Sequence, residues 1–201
     1  MTVRPQVLMI SGSPRNGSHT AAVLRAGANC LVEEGADPLL WDLAAHPLPV
    51  VEAECHGRPE RYGAALARKL PLLAARADAF VLASPAYHGA YSGVLKNALD
   101  HLDAGRLRGK PVALVAHGEN LSAVQVCDGL RTVVRALRAV AVPEQLVTVP
   151  GDFAHPAGGG PELVAPAALD RLGDVCRALT SMACRTGRPA MAGVDRGRSP
   201  Q

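Results

Sequence analysis

Val7-Leu8-Met9-Ile10-Ser11-Gly12-Ser13-Pro14-Arg15-Asn16-Gly17-Ser18-His19-Thr20 is the stretch that decides how the rest of the chain is read. Its four-residue apolar run stops at Ser11-Gly12-Ser13-Pro14, and a run bounded in this way predicts a strand buried on both faces. From Ser18 to Glu34 the period changes: Leu24, Ala28, Leu31 and Val32 share one helical face, and Gly35 stops the helix. The turn between strand and helix carries chemistry of its own. Unpaired N–H groups and a partial positive charge at a helix N-terminus stabilise an anion there. Arg15 can fork onto a phosphate, with Ser13, Ser18 and Thr20 as further donors. Helix capping accounts for Ser18 but not for an arginine and several hydroxyls crowded into one turn. The loop is neither G-x-G-x-x-G nor a Walker sequence, which disfavours the dinucleotide and NTP folds built on those loops.

Working outward, Pro38 to Asp42 predicts a second strand, followed by a polar connection from Leu43 to Arg58. Leu66, Leu70 and Leu73 mark a helix, and Pro71 within it predicts a kink or a break into two short helices. Ala79 to Ala83 reads as the third strand, and Val94, Leu95, Ala98, Leu99 and Leu102 as the next helix. Val112 to Ala116 is the fourth strand, and Leu130, Val133, Val134, Leu137 and Val140 outline a longer helix. Gln145 to Val149 is a fifth strand, Gly151 to Pro161 a loop, and Leu163 to Ala183 a last helix. Apolar strands that alternate with helices predict a parallel sheet covered on both faces. With five strands and no sixth, the expected fold is flavodoxin-like α/β: three layers, doubly wound, strand order 2-1-3-4-5. Residues 1–186 are expected to form this single domain. Residues 187–201, which mix Gly, Pro and Arg, are expected to be a disordered tail.

Composition narrows the function. A chain of 201 residues with 48% hydrophobic content encloses a core, and its net charge of +3 is spread along the chain apart from Arg185, Arg188, Arg196 and Arg198. No basic stripe or nucleic-acid recognition motif stands out. The five cysteines are widely separated with no C-x-x-C pair, so neither a zinc site nor a disulfide framework is expected. With no leader pattern and no run of eighteen apolar residues, a soluble cytoplasmic protein is expected.

In an open parallel sheet, ligands bind beyond the carboxyl ends of the strands, where strand order reverses. That brings the loops after strands one, three and four together. The second of these, Ser84-Pro85-Ala86-Tyr87-His88-Gly89-Ala90-Tyr91-Ser92-Gly93, holds two of the chain's three tyrosines among small residues. Backbone donors, small residues and an apolar wall are what a flat heteroaromatic ring requires, although Tyr87 and Tyr91 also suit plain packing on the next helix. The third loop, His117-Gly118-Glu119-Asn120, says less, since Asn120 also suits a helix cap.

Read in order, these loops resemble the NAD(P)H-dependent FMN reductase family. The resemblance rests on Gly12-Ser13-Pro14-Arg15-x-x-Ser18 and on Ser84-Pro85-x-Tyr87-x-x-x-Tyr91-Ser92-Gly93-x-Leu95-Lys96-x-x-Leu99-Asp100, with Gly109-Lys110-Pro111-Val112 before strand four. It implies FMN as cofactor, with NADPH or NADH as co-substrate. The FMN phosphate would sit on Ser13, Arg15, Ser18, His19 and Thr20. The ring would lie along Pro85, Ala86, Tyr87, His88 and Gly89, with Gly118 beneath it. His88 and His117 would help to seat the nicotinamide nucleotide. Ala86 departs from the Glu or Val common in relatives. No catalytic side chain and no metal ligand is implied, because the cofactors carry the hydride chemistry.

Leu121 to Val140 resembles the reductases that feed sulfonate monooxygenases more than the glycine-rich azoreductase type. The leading expectation is therefore a reductase that supplies reduced FMN to a monooxygenase. Alternatives are a quinone or azo reductase, or a specialised biosynthetic redox enzyme, that keeps its flavin; a flavodoxin-like electron carrier ranks lower at this charge. A homodimer or homotetramer is implied, with the helices of Leu95-Leu99 and Leu130-Leu137 at the interface, although each also fits an ordinary core face.

Overall fold

Strands that are apolar on both faces must lie side by side beneath helices, and in the computed structural model, which describes residues 4–186, they do. The strands are β1 (Gln6–Ser11), β2 (Asp37–Asp42), β3 (Ala79–Pro85), β4 (Pro111–His117) and β5 (Val140–Thr148). They form one sheet in the order β2-β1-β3-β4-β5, parallel throughout. The expected tail, 187–201, lies outside the described residues.

Successive side chains of a strand point to opposite faces, so the core divides in two. Val7, Met9, Val81, Ala113 and Val115 meet α1 (His19–Glu33) and α6 (Pro166–Thr186) on one side. On the other side, Leu8, Ile10, Phe80, Leu82 and Leu114 meet α2 (Ala65–Arg76), α3 (Gly93–Asp100) and α5 (Val124–Ala136). Each fully buried leucine contributes about 1.5–3 kcal/mol. Leu95, Leu99 and Leu130, expected at a subunit interface or in the core, are buried within the chain's own core.

Several boundaries differ from expectation. Pro71 does not divide α2, which runs unbroken with Ala67, Leu70, Pro71 and Ala74 buried. Packing of that stripe outweighs the hydrogen bond the proline forfeits. Leu102 lies beyond α3, because Asp103 restarts the chain as the cap of a short helix, α4 (Ala104–Leu107), accepting from the amides of Gly105 and Arg106. Val140 belongs to β5 rather than to the preceding helix. That helix closes with Arg138 in the left-handed region (φ 59°) and the Ala139 amide on the Val134 carbonyl. The Val140 amide then bonds the Lys110 carbonyl beside β4. Pro143 is tolerated because β5 is an edge strand. The pairing jumps from Val112↔Ala141 to Leu114↔Gln145, leaving three residues opposite one. Finally, the expected loop 151–161 is flanked by a small antiparallel hairpin, β6 (Phe153–Ala154) and β7 (Glu162–Leu163). Leu163 is therefore a strand residue, and the last helix begins at Pro166, whose fixed φ and missing N–H suit a first helical position.

Candidate functional site

The strand order reverses between β1 and β3, and at their carboxyl ends loop 1 (residues 12–18) lies against the start of α3. Gly12 is held there by its amide on the Ala83 carbonyl at 2.7 Å. A Cβ at this position would stand 2.7 Å from Leu95 Cβ and 2.9 Å from the Ala83 oxygen, so only glycine fits. Ser92 joins the two segments: its hydroxyl donates to the Gly12 carbonyl and accepts from the Leu95 amide, while its own amide donates to Ser84 Oγ at 2.9 Å. The paired serines of the second loop thus fasten it to the first.

Ser18 caps α1, accepting from the Ala21 amide at 3.1 Å. That leaves the His19 and Thr20 amides at the helix end without an intrahelical acceptor. Ser13 is buried and its Oγ accepts from the Arg15 amide, which curls the loop and leaves Arg15 exposed at the rim. The Thr20 hydroxyl is buried and has no hydrogen-bond partner. A buried unpaired hydroxyl is costly; here it stands beside unpaired helix amides and an arginine, a set of donors that suits an anion.

After β3, Tyr87 and Ala90 exchange both backbone hydrogen bonds, at 2.9 and 3.0 Å. His88 (φ 52°) and Gly89 (φ 76°) occupy the corner, both with the positive φ of a type I′ turn. Tyr91 packs against Gly129 of α5, not the helix that follows it in sequence. Asn120 does act as a cap, accepting from the Ser122 amide.

These loops enclose a cleft of about 440 Å³, within the range of small-molecule sites. Of the residues expected at a site, Ser13, Arg15, Ser18, His19, Thr20, Pro85, Tyr87 and His117 line it together. Ala86 and Gly118 lie against each other one layer below, and His88 and Gly89 project at the turn, exposed. One wall escaped the sequence reading: Pro150, His155 and Gly159 to Pro161, from the segment after β5. The rule that ligands gather at the carboxyl ends of strands applies to this loop as well, and that was the available signal. Arg25 of α1 donates to the Pro161 carbonyl and ties this wall to α1.

Three imidazoles, one of them the hairpin's own His155, meet at this wall. His19 stacks on His117 with ring centroids 4.5 Å apart, and Phe153 packs edge-on against both. His19 Nε2 lies 3.3 Å from His155 Nε2. Burial, then the charges of His155 and Arg15, hold His19 below the ordinary imidazole value, with Glu119 opposing. His117 is pushed down to about 4, chiefly by burial and next by His19. Thr148 fixes its tautomer: that hydroxyl donates to the Ala116 carbonyl and accepts from His117 Nδ1. His117 is therefore neutral near pH 7. Among the described residues no group of three His, Cys, Asp or Glu is placed to hold a metal ion, and no helix is long and apolar enough to cross a membrane.

The family model described as NADPH-dependent FMN reductase matches residues 5–154. The FMN-dependent NADPH-azoreductase of Staphylococcus saprophyticus is 39% identical over 147 residues, which are 73% of this chain and 78% of that protein. The FMN-dependent NADPH-azoreductase of Staphylococcus aureus is 34% identical over 152 residues, 76% of this chain and 81% of that one. Among solved structures, FerB, the flavoenzyme NAD(P)H:(acceptor) oxidoreductase of Paracoccus denitrificans, superposes with a TM-score of 0.73 at 18% identity. It covers 92% of this chain and all of its own, a likeness of fold.

Proposed function

For a chain that belongs, as this one does, to the NADPH-dependent FMN reductase family, we propose an enzyme that keeps FMN bound and passes electrons from NADPH to a small planar acceptor of the azo or quinone class. Membership makes it an NAD(P)H-dependent flavin oxidoreductase with FMN as cofactor. The retained flavin and the acceptor class are our reading. The azoreductases at 39% and 34% identity support it, as does the extra wall that the hairpin, tied to α1 by Arg25, gives the cleft.

The observation that carries the placement is the buried, unpartnered Thr20 hydroxyl at the capped end of α1, in one cleft with Arg15 and Pro85. An FMN phosphate fits that donor set: Thr20 Oγ1, the His19 and Thr20 amides, Ser13, Ser18 and the Arg15 guanidinium. The ring would then run along Pro85 to Gly89, with Gly118 beneath it and His117 beside it. Bound FMN supplies the two-electron acceptor for hydride from NADPH. The chain's own contribution is positional. The I′ turn after β3 holds Tyr87 at the mouth, half exposed, as a wall against which a planar group can stack. His117, neutral and held by Thr148, brings no charge to its wall of the cleft. No side chain is assigned a proton-transfer role.

The test is the choice of acceptor. With FMN at one equivalent and NADPH in excess, the reading expects many turnovers on an azo dye or a quinone. Turnover that appears only with excess free FMN would instead identify a supplier of reduced flavin, of the kind that serves a monooxygenase.

A further inference from the structure

His155 lies outside every residue named for the site from sequence, yet it stands at the phosphate end of the cleft. Its position is determined by packing. Phe153, two residues earlier, wedges against His19 and His117 and pairs with Leu163 across the hairpin. Below it, the Asp152 carboxylate accepts from the Val149 amide at 2.8 Å, and the Asp152 carbonyl accepts from the amides of Val164 and Ala165. On the far side of the hairpin, Arg25 fixes Pro161. The hairpin thus delivers one imidazole edge-on to another, with ring centroids 5.1 Å apart at 88° and nitrogens 3.3 Å apart.

Two imidazole nitrogens at that distance share a single proton between them: one donates and the other must accept. If both carried protons, two N–H groups and two charges would face each other. A phosphate dianion removes the conflict, since its oxygens accept from both rings at once.

We propose that His155 and His19 form a paired imidazole clamp on a phosphomonoester, that of FMN, and that the pair takes up a proton as the phosphate binds. The inference rests on the FMN reading above and adds to it a specificity residue and a proton linkage. Thr20 Oγ1 lacks a partner, Arg15 provides a fixed positive charge from the same loop, and Glu119 and Asp152 are the carboxylates felt by His19 and His117. In the free protein, burial, His155 and Arg15 keep His19 neutral near pH 7. A dianion beside it favours the charged form. Binding therefore strengthens as pH falls through the region around the ordinary imidazole value, and weakens as pH rises above it. Riboflavin, which lacks the phosphate, has nothing to gain from the proton.

Dissociation constants of FMN and riboflavin for the full-length protein, measured from pH 6.5 to 8.5, test this above the second phosphate ionisation, near pH ~6. FMN is expected to bind several-fold more weakly at pH 8.5 than at pH 6.5, and riboflavin equally at both. His155→Gln, on an exposed side chain that leaves the core intact, is expected to weaken FMN by about 10-fold and to leave riboflavin unchanged, while His19 still takes up a proton and keeps a pH dependence. His155→Lys, whose charge does not titrate in this window and holds His19 neutral, is expected to restore tight FMN binding without the pH dependence. The inference is overturned if His155→Gln leaves FMN affinity as in the wild type. It is also overturned if the variant spares FMN and raises KM for NADPH but not NADH, which would assign the imidazole to the 2′-phosphate of the nucleotide. Wild-type protein that fails to bind FMN at any pH contradicts the functional reading itself, an outcome distinct from both.

Discussion

Thr20 and Ser18 stand two residues apart at the start of one helix and have opposite relations to stability. Ser18 Oγ accepts from the Ala21 amide and holds the helix end, whereas Thr20 Oγ1 is buried with no partner. An unpaired buried hydroxyl costs about 1–3 kcal/mol, and replacing it with an isosteric methyl relieves that cost. Thr20→Val is therefore expected to leave the melting temperature unchanged or raise it, while weakening FMN binding by about 10-fold or more through loss of a charge-assisted hydrogen bond. Calorimetry beside an FMN titration separates the two effects. A variant that is destabilised yet binds FMN normally would make Thr20 an ordinary core residue.

At the scale of elements, the joint between the first loop and α3 rests on Ser92, whose hydroxyl holds the Gly12 carbonyl and caps α3. Ser92→Ala removes a helix cap and leaves a buried carbonyl unpaired, together about 2–3 kcal/mol. In a domain of this size that lowers the melting temperature by roughly 4–12 °C, and FMN affinity should fall with it because the loop is no longer held. An unchanged melting curve would show that the joint is held elsewhere. Elements encoded by neighbouring residues were legible without coordinates. Val7 to Ile10 followed by Ser11 to Ser18 reads as strand, turn and capped helix because every determinant lies within a few positions. The hairpin was not legible, since Arg25 reaches the Pro161 carbonyl from 136 residues away and two-residue strands show no periodicity. His155 went unnoticed with it. Val140 was assigned to a helix because its C-terminus is closed by an arginine in the left-handed region, where the usual marker is glycine.

For the whole molecule, the strand order β2-β1-β3-β4-β5 brings the capped start of α1, the tyrosine turn, the half-buried His117 imidazole and the hairpin to one edge of the sheet. None of these loops is a site by itself; the parallel sheet, with its two buried faces, makes them neighbours. We infer that this edge holds FMN and presents it to NADPH. The most direct test is to titrate the purified full-length protein with FMN and then add NADPH without oxygen, following the flavin absorbance. We predict saturable binding of one FMN per chain and rapid bleaching of the bound flavin. Absence of saturable binding, or bound flavin that NADPH does not bleach, would contradict the account.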